Sequence, residues 1–182
     1  MQQDESKLIK GCLKGDRHAQ EELYHQYASK MYAICLRYSK AQQEAEDILQ
    51  DAFVKVFKEL KGFQGNSSLF YWIKRIVINT ALNYQRSKLY LYPMVDIEDM
   101  KNTPSQSFKI SEYSMDELLN MIRELPQSSQ VIFNLYAIEG YKHKEIAEML
   151  EISEGTSKSQ FARAKQLLQN RMQETKKNYG RG

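Results

Sequence analysis

Three apolar stripes in the first half of the chain leave few folds open to it. Leu23, Tyr27, Met31, Ile34 and Tyr38 are spaced 4, 4, 3 and 4. Ala45, Ile48, Leu49, Ala52, Phe53, Val56, Phe57 and Leu60 alternate steps of 3 and 1, and so do Leu69, Trp72, Ile73, Ile76, Val77, Thr80, Ala81 and Tyr84. Such spacing gathers each set on one face of an α-helix and would scatter it over both faces of a strand. Three broad apolar faces close a helical bundle. Between the second and third stripes, Gly62, Gly65, Asn66, Ser67 and Ser68 break the pattern, which predicts a loop over 61–68. With only 3 prolines and 8 glycines in 182 residues, the chain lacks the turns of an all-β protein.

The second half predicts four shorter helices. Ser114 and Glu117 form a capping box, followed by Leu118, Met121, Ile122 and Leu125 at helical spacing. Pro126 suits the first turn of a helix that runs from about Gln127 and ends at Gly140. Lys142–Leu150 is short and amphipathic, and Ser153 opens a long final helix with Phe161, Ala164, Leu167, Leu168 and Met172 expected in the core. A short helix, a three-residue turn and a longer basic helix have the outline of a helix-turn-helix, which many αα-hairpins share.

Pro93, Pro104 and the acids Asp96, Glu98 and Asp99 lie in a stretch with no sustained periodicity. It reads as a flexible linker at 91–112 between two small helical domains, 1–90 and 113–182, so the expected fold class is all-α. The longest apolar run, Met31–Leu36, has six residues, whereas a membrane helix needs roughly 20. The N-terminal Met1-Gln2-Gln3-Asp4-Glu5 does not resemble a secretory signal. Cys12 and Cys35 read as reduced thiols of a cytoplasmic protein. With His18, His25 and His143 they make no metal-ligand spacing. No phosphate loop or nucleophile elbow is present. The expectation is therefore no cofactor, no metal, no catalytic residue and no enzyme.

The net charge of +3 is unevenly spread. Five basic residues and no acid lie between Leu60 and Val95, and seven basic residues with one acid between Gly155 and Gly182. Glu44–Glu59 carries five acids against two lysines. Basic segments suit a polyanion such as nucleic acid, and equally a solvated helix face. On the third stripe's helix, Arg75, Asn79, Asn83 and Arg86 align opposite the apolar face. Asn can bond an adenine edge bidentately and Arg can clamp phosphate or guanine. The adjoining loop, with Phe63, Gln64, Asn66 and Ser67, has the composition of a pocket for an unstacked base and also of an ordinary turn. Trp72 falls on the apolar column and is expected in the core. On the final helix, Thr156, Lys158, Ser159, Gln160, Arg163 and Lys165 supply donors near the helix start. Glu46, Asp47, Gln50 and Asp51 crowd one side of the second helix and would repel DNA, which leaves a basic protein surface or water as their neighbour.

Taken together, these strings resemble the extracytoplasmic-function sigma factors, the small two-domain group of sigma-70-type bacterial initiation factors. The resemblance covers about residues 15–90 and 113–173. It rests on Glu44–Phe53, on Phe63–Ser68 followed by Trp72–Ile76 and Asn79–Asn83, and on Leu125-Pro126, Glu139–Tyr141, Glu145–Ala147 and Ile152–Thr156.

The resemblance implies a protein that binds core RNA polymerase, recognises two promoter elements and helps to melt the DNA. It implies that Asp47, Gln50 and Asp51 contact the polymerase clamp helices. Asn79 and Asn83 would read the minus-ten element, while Phe63–Ser68 hold an extruded base. Lys158, Ser159, Gln160 and Arg163 would lie in the minus-thirty-five major groove. The linker would pass toward the RNA exit path, and an anti-sigma factor or another recruiting protein would be a further partner. Two positions depart from the family pattern. Glu151 stands where Gly is usual in the helix-turn-helix turn, at a cost of about 1 kcal/mol if its backbone is left-handed. Gln160 stands where Arg is usual, so Gln160→Arg is expected to strengthen or redirect DNA binding. A stand-alone helix-turn-helix regulator, or a helical adaptor without a DNA role, is the rival reading.

Overall fold

A computed structural model of the chain describes residues 2–89 and 113–179. The described residues are helical with no strand, in agreement with the all-α expectation. The expected linker at 91–112 lies outside them. The chain divides into two compact units, Met1–Tyr84 and Gln85–Gly182.

The first unit holds α1 (Gln2–Leu13), α2 (Arg17–Tyr38), α3 (Gln42–Glu59) and most of α4 (Leu69–Leu89), with a single 3-10 turn at Leu60–Gly62. The three stripes build its core. Leu23, Met31 and Tyr38 of α2, Ala45, Ile48 and Val56 of α3, and Leu69, Ile73 and Val77 of α4 are fully buried. The buried face of α4 is wider than its stripe and takes in Ile78 and Leu82. Trp72 departs from expectation: it is only half-buried, with its ring edge-on to Phe63 at 5.5 Å.

Helix α1 was not foreseen. It buries Leu8 and Cys12, and its Glu5 carboxylate accepts the Tyr27 hydroxyl at 3.0 Å. Burial first, then that hydrogen bond, pushes the Tyr27 phenol up to about 12. Gly15 at φ +78° ends α1, and Asp16 caps α2 by accepting the His18 N–H at 2.9 Å.

The second unit holds α5 (Met115–Arg123), α6 (Gln127–Phe133), α7 (His143–Leu150) and α8 (Glu154–Tyr179). The Ser114–Glu117 capping box is formed in both directions. The hydrogen bonds from Ser114 hold the Glu117 carboxyl below the usual carboxylate range. Met121, Leu125, Ala164, Leu168 and Met172 make the core between α5 and α8, whereas Phe161 and Leu167, expected there, are half-buried. Tyr113 closes one end of it by donating to the Met172 carbonyl at 2.8 Å.

The helix expected from Gln127 to Gly140 changes character after Phe133. Asn134–Ile138 forms a π-turn, with the Glu139 N–H on the Asn134 carbonyl at 2.9 Å. That wider turn leaves Leu135 buried and Tyr136 and Ile138 exposed, and Gly140 at φ +82° then ends the segment. Between α7 and α8 the turn Glu151–Ser153 brings the Ile152 N–H back to the Ala147 carbonyl at 3.1 Å, with Glu151 left-handed at φ 57° and ψ 44°. The backbone thus demands at Glu151 the conformation in which Gly costs least.

Candidate functional site

Each candidate surface is the solvent side of a helix whose other side fills a core. On α3, burial of Ala45, Ile48, Leu49 and Ala52 turns Asp47, Gln50 and Asp51 outward, and all three are exposed. Glu46 beside them is also exposed and accepts from the Gln42 amide at 3.2 Å. Val54 lies three residues beyond Asp51 on the same side and is 63% exposed. The sequence reading assigned it nothing, because an isolated apolar residue outside a stripe carries no periodic signal.

On α4, Arg75, Asn79 and Asn83 are exposed while Ile76, Val77, Thr80 and Ala81 beneath them are buried. Arg86 differs from the other three. It falls in the second unit, where it donates to the Met149 carbonyl at 2.8 Å and to the Glu151 carboxylate at 3.2 Å. The loop ahead of α4 keeps Gln64, Asn66 and Ser67 exposed, with the Asn66 amide donating to Gln64 at 3.2 Å. Gly65 supplies a left-handed turn at φ +74°. Phe63, half-buried against Trp72, gives that loop a firm aromatic base.

On α8 the expected donors fall into two groups. Lys158 and Lys165 are exposed, and Ser159 and Arg163 are half-buried. Lys158 pairs with Glu154 at 3.0 Å, and that bond, with the lysine charge behind it, holds the Glu154 carboxyl below its usual range. The Lys165 ammonium sits 5.2 Å from the centre of the Phe161 ring. Thr156 and Gln160 point inward, which corrects the expectation that they face the groove. Thr156 is buried, its N–H donating to Ser153 Oγ at 2.9 Å and its hydroxyl 2.8 Å from the same atom. Gln160 is 2% exposed, and its Oε1 accepts from Ser128 at 3.1 Å and Ser129 at 2.8 Å. The Gln160 bonds form because α6 packs on this side of α8, whereas those of Thr156 are local to the start of α8. Ser159 turns its hydroxyl to the Thr156 carbonyl at 3.1 Å.

His143, for which the sequence suggested no role, stands at the start of α7. It stacks on Tyr136 at 4.2 Å and 16°, with Nδ1 2.9 Å from Ser157 Oγ. Burial and the nearby Lys158 charge lower its pKa, with Glu154 opposing. No cluster of three metal-ligating side chains occurs among the described residues, and none of their helices is long and apolar enough to cross a membrane.

The chain matches the family description for sigma-70 region 2 over residues 23–89 and that for sigma-70 region 4 over residues 115–168. The chain belongs to the sigma-70 family. Sigma-70 region 2 thus spans most of α2, then α3, the loop and α4, and region 4 spans α5, α6, α7 and the first half of α8. The chain is 28% identical to the ECF RNA polymerase sigma-E factor of Haemophilus influenzae, over 91% of this chain and 94% of that one. It is 27% identical to the sigma-H factor of Pseudomonas aeruginosa, over 94% and 95%. It is also 27% identical to the ECF sigma-E factor of Escherichia coli, over 91% and 93%. In fold it is similar to the sigma factor RpoE of Bartonella quintana, solved with the anti-sigma factor NepR. That match has a TM-score of 0.53 and 20% identity, covering 84% of this chain and 96% of that one. The sigma factor is accordingly a transcription initiation factor that works with RNA polymerase on promoter DNA. A stand-alone helix-turn-helix regulator is disfavoured, because it would leave the region 2 match without a purpose.

Proposed function

We propose a division of labour among the three surfaces of this sigma factor. The α3 face of Asp47, Gln50 and Asp51 binds core RNA polymerase. Arg75, Asn79 and Asn83 of α4, with Phe63, Gln64, Asn66 and Ser67 of the loop, read and open the minus-ten element. Lys158, Ser159, Arg163 and Lys165 of α8 engage the minus-thirty-five element. Residues 1–90 and 113–182 act as separate domains on a linker at 91–112. The protein contributes binding and no bond chemistry, so it is not an enzyme, and it acts in the cytoplasm. An anti-sigma factor, the kind of protein with which the Bartonella relative was solved in complex, is the regulator that fits these surfaces.

One observation carries this reading: side chains of opposite character are exposed on successive helices of the same unit. Acids and an amide crown α3, whereas Arg75, Asn79 and Asn83 crown α4. Carboxylates are repelled by phosphate and suit a basic protein surface; Arg and Asn suit phosphate and base edges.

The test uses promoters obtained by sequencing the DNA that polymerase occupies with this factor. Asp47→Ala with Asp51→Ala should weaken association with core polymerase, most visibly at low salt. Asn79→Ala with Asn83→Ala should leave that association intact and reduce run-off transcription from duplex templates. A pre-melted template should restore only the part due to melting. All four side chains are exposed, so the changes should shift stability by less than about 0.5 kcal/mol. Loss of polymerase binding in the Asn pair would overturn the assignment.

A further inference from the structure

Lys55 of α3 reaches for α4 and not for the acids of its own helix. Asp51 stands one turn before it and Glu59 one turn after, at the i,i+4 spacing that favours ion pairs. Its ammonium takes neither and donates instead to Thr80 Oγ1 of α4 at 3.2 Å. The side chain is half-buried, on the flank of α3 between the exposed Asp51 and the buried Ala52. The acceptor is a neutral hydroxyl on a buried residue, so the contact fixes the ammonium without neutralising it. A partly desolvated cation held by a neutral acceptor is better stabilised once an anion joins it. An ammonium has three donors, of which Thr80 engages one.

Thr80 marks the edge where the core side of α4 meets its exposed polar side. At about 100° per residue, it falls about 60° from the exposed Asn83 and about 60° the other way from the fully buried Val77. Asn79, also exposed, is its immediate neighbour in sequence. From Leu60 to Val95 the chain contains Lys61, Lys74, Arg75, Arg86 and Lys88 and no acid. The Lys55 charge therefore joins other cations on α4, an arrangement that suits an anion shared among them.

We infer that Lys55 belongs to the promoter-binding surface although it stands on the polymerase-binding helix, and that its ammonium, aimed by Thr80, holds a DNA phosphate beside the bases that Asn79 and Asn83 select. This rests on the reading of α4 given under the proposed function. The phosphate supplies the counter-charge that Asp51 and Glu59 do not, and it accepts the remaining N–H donors. Such a contact carries no sequence information and instead fixes the register of the strand against the Asn row. Thr80 acts through Lys55 and is a positioning residue.

The experiment measures binding of the polymerase complex to a pre-melted fragment of an occupied promoter over a series of salt concentrations. Lys55→Met keeps the aliphatic stem and loses the charge. It should weaken binding about three-fold or more at low salt and reduce the slope of log affinity against log salt by about 0.7 to 0.9, the value of one phosphate. Lys55→Gln, which keeps an N–H donor for Thr80, should reduce the slope equally. Lys55→Arg and Thr80→Val retain the cation and should retain the slope. Association with core polymerase in the absence of DNA should not move in any variant. A wild-type slope in both the Met and Gln variants would reduce Lys55 to a tie between helices and overturn the inference. Lost polymerase association in those variants would overturn it as well, by placing Lys55 in the face of Asp47 and Asp51. The Asn79→Ala, Asn83→Ala pair separates the two levels. If that pair impairs promoter opening while the Lys55 variants keep the wild-type slope, this inference alone fails. If the pair is also without effect, the reading of α4 fails with it.

Discussion

Gln160 Oε1 accepts a hydrogen bond from Ser129 Oγ at 2.8 Å, and both side chains are buried. The polar group thereby ties α8 to the first turn of α6. Gln160→Ala would leave the Ser129 hydroxyl buried without this acceptor, at a cost of about 1–3 kcal/mol. Urea denaturation of the full chain should show that loss. Gln160→Arg should also lower the midpoint, because it places a cation at a site only 2% exposed, instead of tightening DNA binding. By contrast, Arg163→Ala should weaken DNA binding and reduce its salt dependence by about one phosphate contact.

Glu151 holds φ 57° and ψ 44°, the conformation the turn into α8 requires. Glu151→Gly should therefore stabilise the chain by up to about 1 kcal/mol, even though glycine gains entropy when unfolded. Its pairing with Arg86 is solvent-exposed and contributes little. Glu151→Ala retains the left-handed strain and should give no such gain. Thermal melts of the two variants against wild type separate backbone strain from the lost carboxylate.

Gly11 lies where α1 crosses α2, and a Cβ added there would come within 2.7 Å of Ala19 Cβ. Alanine is the better helix former by about 1 kcal/mol, but the close approach leaves it no room. Gly11→Ala should destabilise the first unit by about 1–3 kcal/mol through forced separation of the helices. Gly62→Ala, with nothing within 4 Å of the added Cβ, should be nearly neutral. Equilibrium denaturation of both variants checks the contrast.

The lowered pKa of His143 makes stability depend on pH. The unfolded imidazole takes up its proton near pH 6.5, and the folded one does so only at lower pH. The contribution is fully present above about 6.5 and is lost as pH falls from there through the folded value. The melting temperature should drop as pH falls below about 6.5. His143→Gln should shrink that drop, and an equal drop in the variant would place the effect on other groups.

The sequence alone determined those features whose causes lie within a few residues of chain. The stripes of α2, α3 and α4 are legible because one helical period relates each member to the next. The Ser114–Glu117 box and the Gly140 stop are read from residues only a turn apart. The candidate surfaces on α3 and α4 follow as complements of the stripes. Once Ile48 and Ala52 are buried, Asp47 and Asp51 must face out; once Ile76 and Thr80 are buried, so must Arg75 and Asn79. Tertiary structure decided whatever depends on a partner distant in sequence. Helix α1 has too short an apolar pattern to announce itself, and it is held by Glu5 on Tyr27, 22 residues away. Gln160 looks like its exposed neighbours until α6 arrives beside α8 and brings Ser129 from 31 residues away. The π-turn at Asn134–Ile138 moves Tyr136 to the surface, where its ring stacks on His143. Local periodicity assigns each helix a buried side, but only packing settles which polar groups that side encloses, because a buried polar group is stable only where a partner meets it.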